Sequence, residues 1–135
     1  MSTRSLTVFK NEKEEICVLY RQWDGYPQGH GKELAEFLSG ITMVNGIGSE
    51  RKKIANGMGC LVAQVIAHFK TEVGNFYVEP AGTRNYGEEY TYIVTGEEGF
   101  EPEIEIMEGR KRIFSGSANE CVEFIKRMQE ENESQ

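Results

Sequence analysis

The sequence predicts an α+β fold: a twisted antiparallel β-sheet with two or three packed helices in a single domain. Residues 5–9 and 15–21 are β-rich runs that flank a polar patch at 10–14, the pattern of a hairpin. Residues 32–38 and 60–70 carry the apolar spacing and length of helices. Past residue 74 the chain turns strand-like again, with apolar positions separated by Gly and Pro. A chain of 135 residues with 39% apolar content suffices for one core of modest size.

Each element has its own justification. In the second strand Ile16, Val18 and Tyr20 point one way, and Cys17 and Leu19 the other. Both sets are apolar, so this strand is expected inside the sheet. Arg21 ends it on the Cys17/Leu19 side. Leu34, Phe37 and Leu38 make the stripe of a short helix over 32–38, closed by Ser39 and Gly40. Gly29 and Gly31 ahead of it would leave anion-friendly backbone amides at its start. Residues 41–58 read as a loop or short strand, then a helix beginning between 49 and 60. The cluster Arg51, Lys52 and Lys53 reads as a solvated helix face, with phosphate contact as the sharper alternative. Residues 60–70 are apolar on almost every side and predict a central helix buried from several directions. His68 near its end is expected to pack or to cap carbonyls. Residues 75–78, 90–95, 103–107 and 112–114 read as strands, the later ones forming an antiparallel meander. Ser117 with Glu120 is a capping box for a last helix, whose stripe is Cys121, Phe124, Ile125 and Met128. The domain spans 1–135, with 129–135 expected to fray.

Charge and cysteines narrow the function classes. No apolar run approaches the roughly 20 residues that cross a bilayer, and the first residues lack the apolar segment of a secretory signal. A cytoplasmic protein with no membrane partner is the expectation. Cys17, Cys60 and Cys121 lie far apart without metal spacing and are expected as buried, reduced thiols. Residues 88–108 hold eight Glu and no Lys or Arg, a charge of −8 in a chain whose net charge is −7. Long nucleic acid, whose binding rests on many phosphate contacts, is therefore not an expected partner. A small anion is still admissible where a few Arg are focused. The acidic strip reads as the solvated face of a sheet, or as an imitation of DNA.

The stretch 21–31 concentrates the chemistry. It holds the only Trp, one of two His and three of fifteen Gly. Arg21 offers a planar fork of donors suited to phosphate. Trp23 and Tyr26 either plug the core or offer flat faces to a ligand. A second loop, Thr83, Arg84, Asn85 and Tyr86, again joins a cation, an amide and a ring, and Phe76 lies just upstream. Phe76 is suited to stack on a base, Asn85 to read a base edge, and Arg21 with Arg84 to hold a pyrophosphate. Together these point to a small anionic, nucleotide-like ligand. Catalysis has weaker support: Asp24 with His30 is the one acid–base pair in reach, and Asp24 before Gly25 is more simply a turn residue. No cofactor and no metal site is expected. A homo-oligomer is expected, since a small sheet with apolar edges gains by pairing.

The run Leu19-Tyr20-Arg21-Gln22-Trp23-Asp24-Gly25-Tyr26-Pro27, with Gly29-His30-Gly31-Lys32-Glu33-Leu34-Ala35-Glu36-Phe37-Leu38, resembles a family of small phage and prophage proteins. Gly57-Met58-Gly59, Ala67-His68-Phe69-Lys70 and Glu88-Glu89-Tyr90-Thr91-Tyr92 extend the likeness. Within that group the chain is similar to the Thoeris anti-defence sponges, which sequester cyclic ADP-ribose immune signals without cleaving them. The resemblance implies a ligand site with a strand-end Arg, a stacking Phe and an Asn, often between subunits. Arg21, Phe76 and Asn85 stand in corresponding places. It also implies a further Arg from the C-terminal half, for which Arg110 and Arg112 are both open. The candidate ligand-binding set is thus Arg21, Trp23, Asp24, Tyr26, Phe76, Arg84, Asn85, Arg110 and Arg112. The expected function is sequestration of a cyclic ADP-ribose or other cyclic nucleotide signal by a phage-type immune-evasion protein. The alternatives are an acidic decoy for a host defence protein and a nucleotide-processing enzyme using Asp24 and His30.

Overall fold

The computed structural model describes residues 2–46 and 53–133. A six-stranded sheet runs through it in the order β5-β2-β1-β6-β7-β8. Its strands are β1 (Ser5–Lys10), β2 (Glu15–Arg21), β5 (Phe76–Pro80), β6 (Tyr90–Thr95), β7 (Glu103–Glu108) and β8 (Lys111–Ser117). A two-stranded parallel sheet of β3 (Thr42–Val44) and β4 (Ile54–Asn56) lies beside it. The helices are α1 (Lys32–Leu38), α2 (Gly57–Phe69) and α3 (Ala118–Glu133), and a π-helical turn, Pro27–Gly31, runs directly into α1. The fold is the expected α+β domain.

The β1–β2 hairpin forms as read, its turn held by Asn11, whose Oδ1 accepts from the amides of Lys13 and Glu14. Residues 5–9 are all buried, because β1 is central and both of its faces are covered. One face packs Phe9, Leu19, Tyr92, Val94, Ile104 and Ile106 against the helices. The other holds a smaller core of Leu6, Val8 and Val18, with Tyr20 and Ile93 packed on it.

The sheet departs from all-antiparallel at one place: β1 and β6 are parallel, with Ser5 opposite Tyr90 and Phe9 opposite Val94. The chain reaches β6 from β5 by a crossover at 81–89 that travels the length of the strands. The bends of this crossover include left-handed residues at Gly82, Asn85 and Gly87. It lies on the face away from the helices, where Tyr86 meets Tyr20 edge-on at 5.1 Å. Apolar alternation reports which faces are buried and not which strand lies alongside, so the pattern carried no sign of this pairing.

Two further expectations change. Helix α2 is not buried all round: Gly59, Cys60, Ala63 and Ala67 share an exposed face, and their small side chains make that exposure inexpensive. Cys60 is therefore exposed, while Cys17 is half-buried and Cys121 buried. Helix α3 runs through Glu133, the last described residue. The capping box holds: Ser117 donates its amide to Glu120 Oε1 (2.9 Å), and the Glu120 amide donates to Ser117 Oγ (3.2 Å). Of the basic cluster, Arg51 and Lys52 lie outside the described residues. Lys53 donates to the Ser39 carbonyl at 2.8 Å. Among the described residues no helix is long and apolar enough to cross a membrane.

Candidate functional site

Strand alternation places Cys17, Leu19 and Arg21 of β2 on the helix-covered face. Cross-strand pairing sets Phe76 of β5 opposite Arg21, and the guanidinium carbon lies 4.8 Å from the centre of the Phe76 ring. Arg21 is buried, and most of its donors are committed. Nε–H donates to the Trp23 carbonyl (2.7 Å), and Nη1 donates to His30 Nδ1 (3.1 Å) and Glu33 Oε2 (2.8 Å). Among the described residues no hydrogen bond is made by Nη2.

These bonds fix the state of His30. A guanidinium only donates, so Nδ1 accepts. Nε2 therefore carries the proton and donates to Thr7 Oγ1 at 2.7 Å. The imidazole is fully buried, 4.9 Å from Tyr92, 5.2 Å from Phe69 and 6.4 Å from Phe76 between ring centres. Burial first, and the Arg21 charge second, lower its pKa from the ordinary 6.5 to about 3. His30 is thus a neutral core residue across the physiological range.

The loop from Arg21 to His30 is bolted to the sheet. Tyr92 donates its hydroxyl to the Gly25 carbonyl at 2.7 Å, and its own pKa is raised, chiefly by burial. The Gly25 amide donates to Thr3 O (2.9 Å) and the His30 amide to Asp24 O (2.8 Å). A Cβ on Gly25 would lie 2.7 Å from Ser5 Cβ and 2.9 Å from the Arg4 carbonyl carbon, so only glycine allows this approach. Asp24 turns the chain with φ of 61°. The expected Asp24–His30 acid–base pair does not form, since the His30 ring bonds Thr7 and Arg21 instead. The amides of Gly29 and His30 are taken by Tyr26 O and Asp24 O, so they are not free for an anion. Trp23 and Tyr26 do not plug the core: they remain 42% and 39% exposed, and the plug is His30.

Beside this cluster lies a cleft of about 290 Å³ between β5 and the end of α2. Leu19, Ile66, Phe69, Phe76, Tyr77 and Val78 line it, with Lys70 at its rim. Lys70 Nζ donates to the carbonyls of Gly74 (3.0 Å) and Phe76 (2.9 Å), and lies 5.5 Å from the Tyr77 ring centre. Phe76 is shared: one ring meets the Arg21 guanidinium, touches His30 and Phe69, and forms a wall of the cleft. A larger concavity, about 530 Å³, lies at the other end of the sheet, where Glu97, Glu101 and Glu103 are among its walls. Its carboxylates make it the poorer host for an anion despite its size.

The sequence-selected residues are therefore dispersed. Arg21 and Phe76 are in contact, and Trp23 adjoins them through its amide, which bonds Asn75 Oδ1 at 3.2 Å. Asn85 and Arg84 sit in the crossover. The Asn85 amide bonds Glu88 at 3.3 Å, and Arg84 forms an ion pair with Glu15 at 2.6 Å that lowers the Glu15 pKa. Arg110 lies in the β7–β8 turn and Arg112 just past it in β8, four strands from β2, roughly 19 Å at ordinary strand spacing. Arg112 there meets Glu105 at 3.4 Å. Within one chain the two aromatic loops do not converge. Residue type alone did not single out Thr7, Glu33, Tyr92, Lys70 and Val78. All but Lys70, which bonds across its own loop to Gly74 and Phe76, gain their role from a neighbour distant in sequence. Among the described residues no group of three or more His, Cys, Asp or Glu is placed to hold a metal. No family model matches the chain, and no curated protein or solved structure matches it.

Proposed function

We propose that this chain is a non-catalytic binding protein for a small anion that carries a flat ring, and that its site is the cleft between β5 and α2. The observation behind this reading is the cleft itself: an apolar slot with Phe76 and Tyr77 in its walls, an ammonium at its rim, and a guanidinium on the shared Phe76 ring. Ring stacking and a local positive field are what a nucleotide requires. Of the two imidazoles that meet Phe69, His30 is buried and neutral with its ring nitrogens engaged, and His68 stacks on Phe37 at 4.3 Å, an arrangement that favours holding over bond chemistry. At about 290 Å³ the cleft is at the small end for ligand pockets, which run from about 300 Å³ upward. It takes a base or base and sugar. A larger cyclic nucleotide would be completed by a second copy of the chain. The likeness to the Thoeris anti-defence sponges carries the reading further, to sequestration of a cyclic ADP-ribose-type signal by a phage protein acting in the host cytoplasm.

Calorimetric titration with adenosine monophosphate and with cyclic ADP-ribose tests this reading. Saturable binding is expected for at least one, with the ligand recovered chemically intact after heat denaturation. Ile66→Trp, which fills the cleft from the helix side, abolishes that binding. Absence of binding to either probe refutes the ligand class, and recovery of a cleaved product refutes the holding role.

A further inference from the structure

The phase of the β2–β5 ladder gives the cleft a second feature. The Gln22 amide bonds Asn75 O at 2.8 Å, so Gln22 and Asn75 form a hydrogen-bonded pair. Bonded and non-bonded pairs alternate along an antiparallel ladder. With Tyr20 opposite Tyr77 and Leu19 opposite Val78, the main-chain groups of Phe76, Val78 and Pro80 face outward from the sheet. Two of these three are already closed. The Phe76 amide donates to Gly74 O (2.7 Å), and its carbonyl accepts from Lys70 Nζ (2.9 Å). Pro80 has no amide hydrogen, and its carbonyl accepts from the Thr83 amide (3.2 Å) and hydroxyl (2.7 Å). Only Val78 keeps both an outward N–H and an outward C=O, with no partner among the described residues. Val78 also lines the cleft and is 55% exposed.

We propose that the Val78 main chain reads the edge of a planar heterocycle seated in the cleft: N–H donates to a ring nitrogen or carbonyl, and C=O accepts from the N–H beside it. The chemical class this selects is a ring with adjacent donor and acceptor in its plane, as on the amidine edge of adenine or a cyclic amide. A strand residue's outward N–H and C=O are arranged to meet the C=O and N–H of one facing residue, and such an edge presents the same pair of functions. The closure of Phe76 and Pro80 explains why a whole peptide strand is the poorer guest: it would find one rung where it needs several. This inference rests on the cleft being the ligand site.

The test compares adenosine monophosphate with its N6,N6-dimethyl analogue, which keeps ring and phosphate but has lost the donor. It also compares the native chain with Val78→Pro and Val78→Ala. Proline at this outward-facing edge position removes the N–H without breaking a ladder bond. We expect the dimethyl analogue to bind about tenfold or more weakly, Val78→Pro to lose a similar factor, and Val78→Ala, which trims a cleft wall but keeps the N–H, to lose clearly less than Val78→Pro. If Val78→Pro fails to fold, the ligand pair on the native chain decides alone. Equal binding of both nucleotides, or loss of affinity in Val78→Ala equal to that in Val78→Pro, overturns the main-chain reading and leaves the proposed function standing. Binding of cyclic ADP-ribose with no binding of adenosine monophosphate does the same. Failure of every nucleotide to bind overturns both.

Discussion

Lowering the pH from 7 to 5 should destabilise this protein through His30. The folded pKa of about 3 lies below the ordinary 6.5 expected of the unfolded chain. Between those values the unfolded state binds a proton that the folded state does not, so stability is full above 6.5 and falls as pH drops toward 3. Each pH unit below 6.5 costs about 1.4 kcal/mol, so at pH 5 the loss is about 2 kcal/mol. For a domain of this size that lowers Tm by roughly 6–10 °C. Glu15 and Glu120 also have lowered pKa values, but from an ordinary 4.5, so their contributions fade below this window. The assay is urea unfolding at pH 7, 6 and 5 on the native chain and on His30→Gln, whose amide can accept from Arg21 and donate to Thr7. The variant is less stable at pH 7 but should lose little between 7 and 5. A native chain equally stable at pH 7 and 5, or a variant with the same slope, refutes the buried neutral imidazole.

Arg21→Met leaves His30 Nδ1 and the Trp23 carbonyl without their donor and should cost about 2–4 kcal/mol in urea unfolding; a loss under about 1 kcal/mol would mean the cluster is peripheral. Glu33→Gln removes only the half-exposed member of that network and should cost less than about 1 kcal/mol by the same measurement. Tyr92→Phe deletes the hydroxyl that bonds the Gly25 carbonyl and should cost about 1–3 kcal/mol, seen as a lowered denaturation midpoint with unchanged slope. Gly25→Ala drives a methyl against the β1 backbone and should cost about 1–3 kcal/mol, read as a drop in Tm.

Local signals were legible and non-local ones were not. The β1–β2 turn, helix α1 over 32–38 and the Ser117/Glu120 capping box are set by residues within four positions of one another, and each appears where the spacing placed it. The β1–β6 pairing joins residues about 85 apart through a crossover, and no short pattern encodes it. Arg21 stood out by type and strand end. Its role depended on what faced it: Glu33 in the first turn of the next helix, and His30 sealed beneath Tyr92 and Phe69. Of the two readings open for Trp23 and Tyr26, the core plug fails although large rings usually pack inside: the smaller His30 fills the core and the rings stay at the surface.

One register carries the whole arrangement. Setting Arg21 opposite Phe76 puts the guanidinium on the ring, turns Phe76 toward His30, and opens the cleft between Leu19, Val78 and α2. The same phase directs the Val78 N–H and C=O outward. A slip of β5 by one residue would move Phe76 to the crossover face and put Tyr77 or Asn75 under Arg21. The register is held from both ends. Asn75, left-handed with φ of 62°, accepts from the Gln22 and Trp23 amides and takes Gln22 Oε1 on its own amide. At the far end the Glu15 carboxylate holds Arg84 and the Gly82 amide, just past Pro80. The ion pair of Arg84 thus lies outside the cleft yet fixes where Phe76 and Val78 sit. Arg84→Gln should therefore weaken ligand binding through strand position while Lys10 to Arg21 keep their pairing.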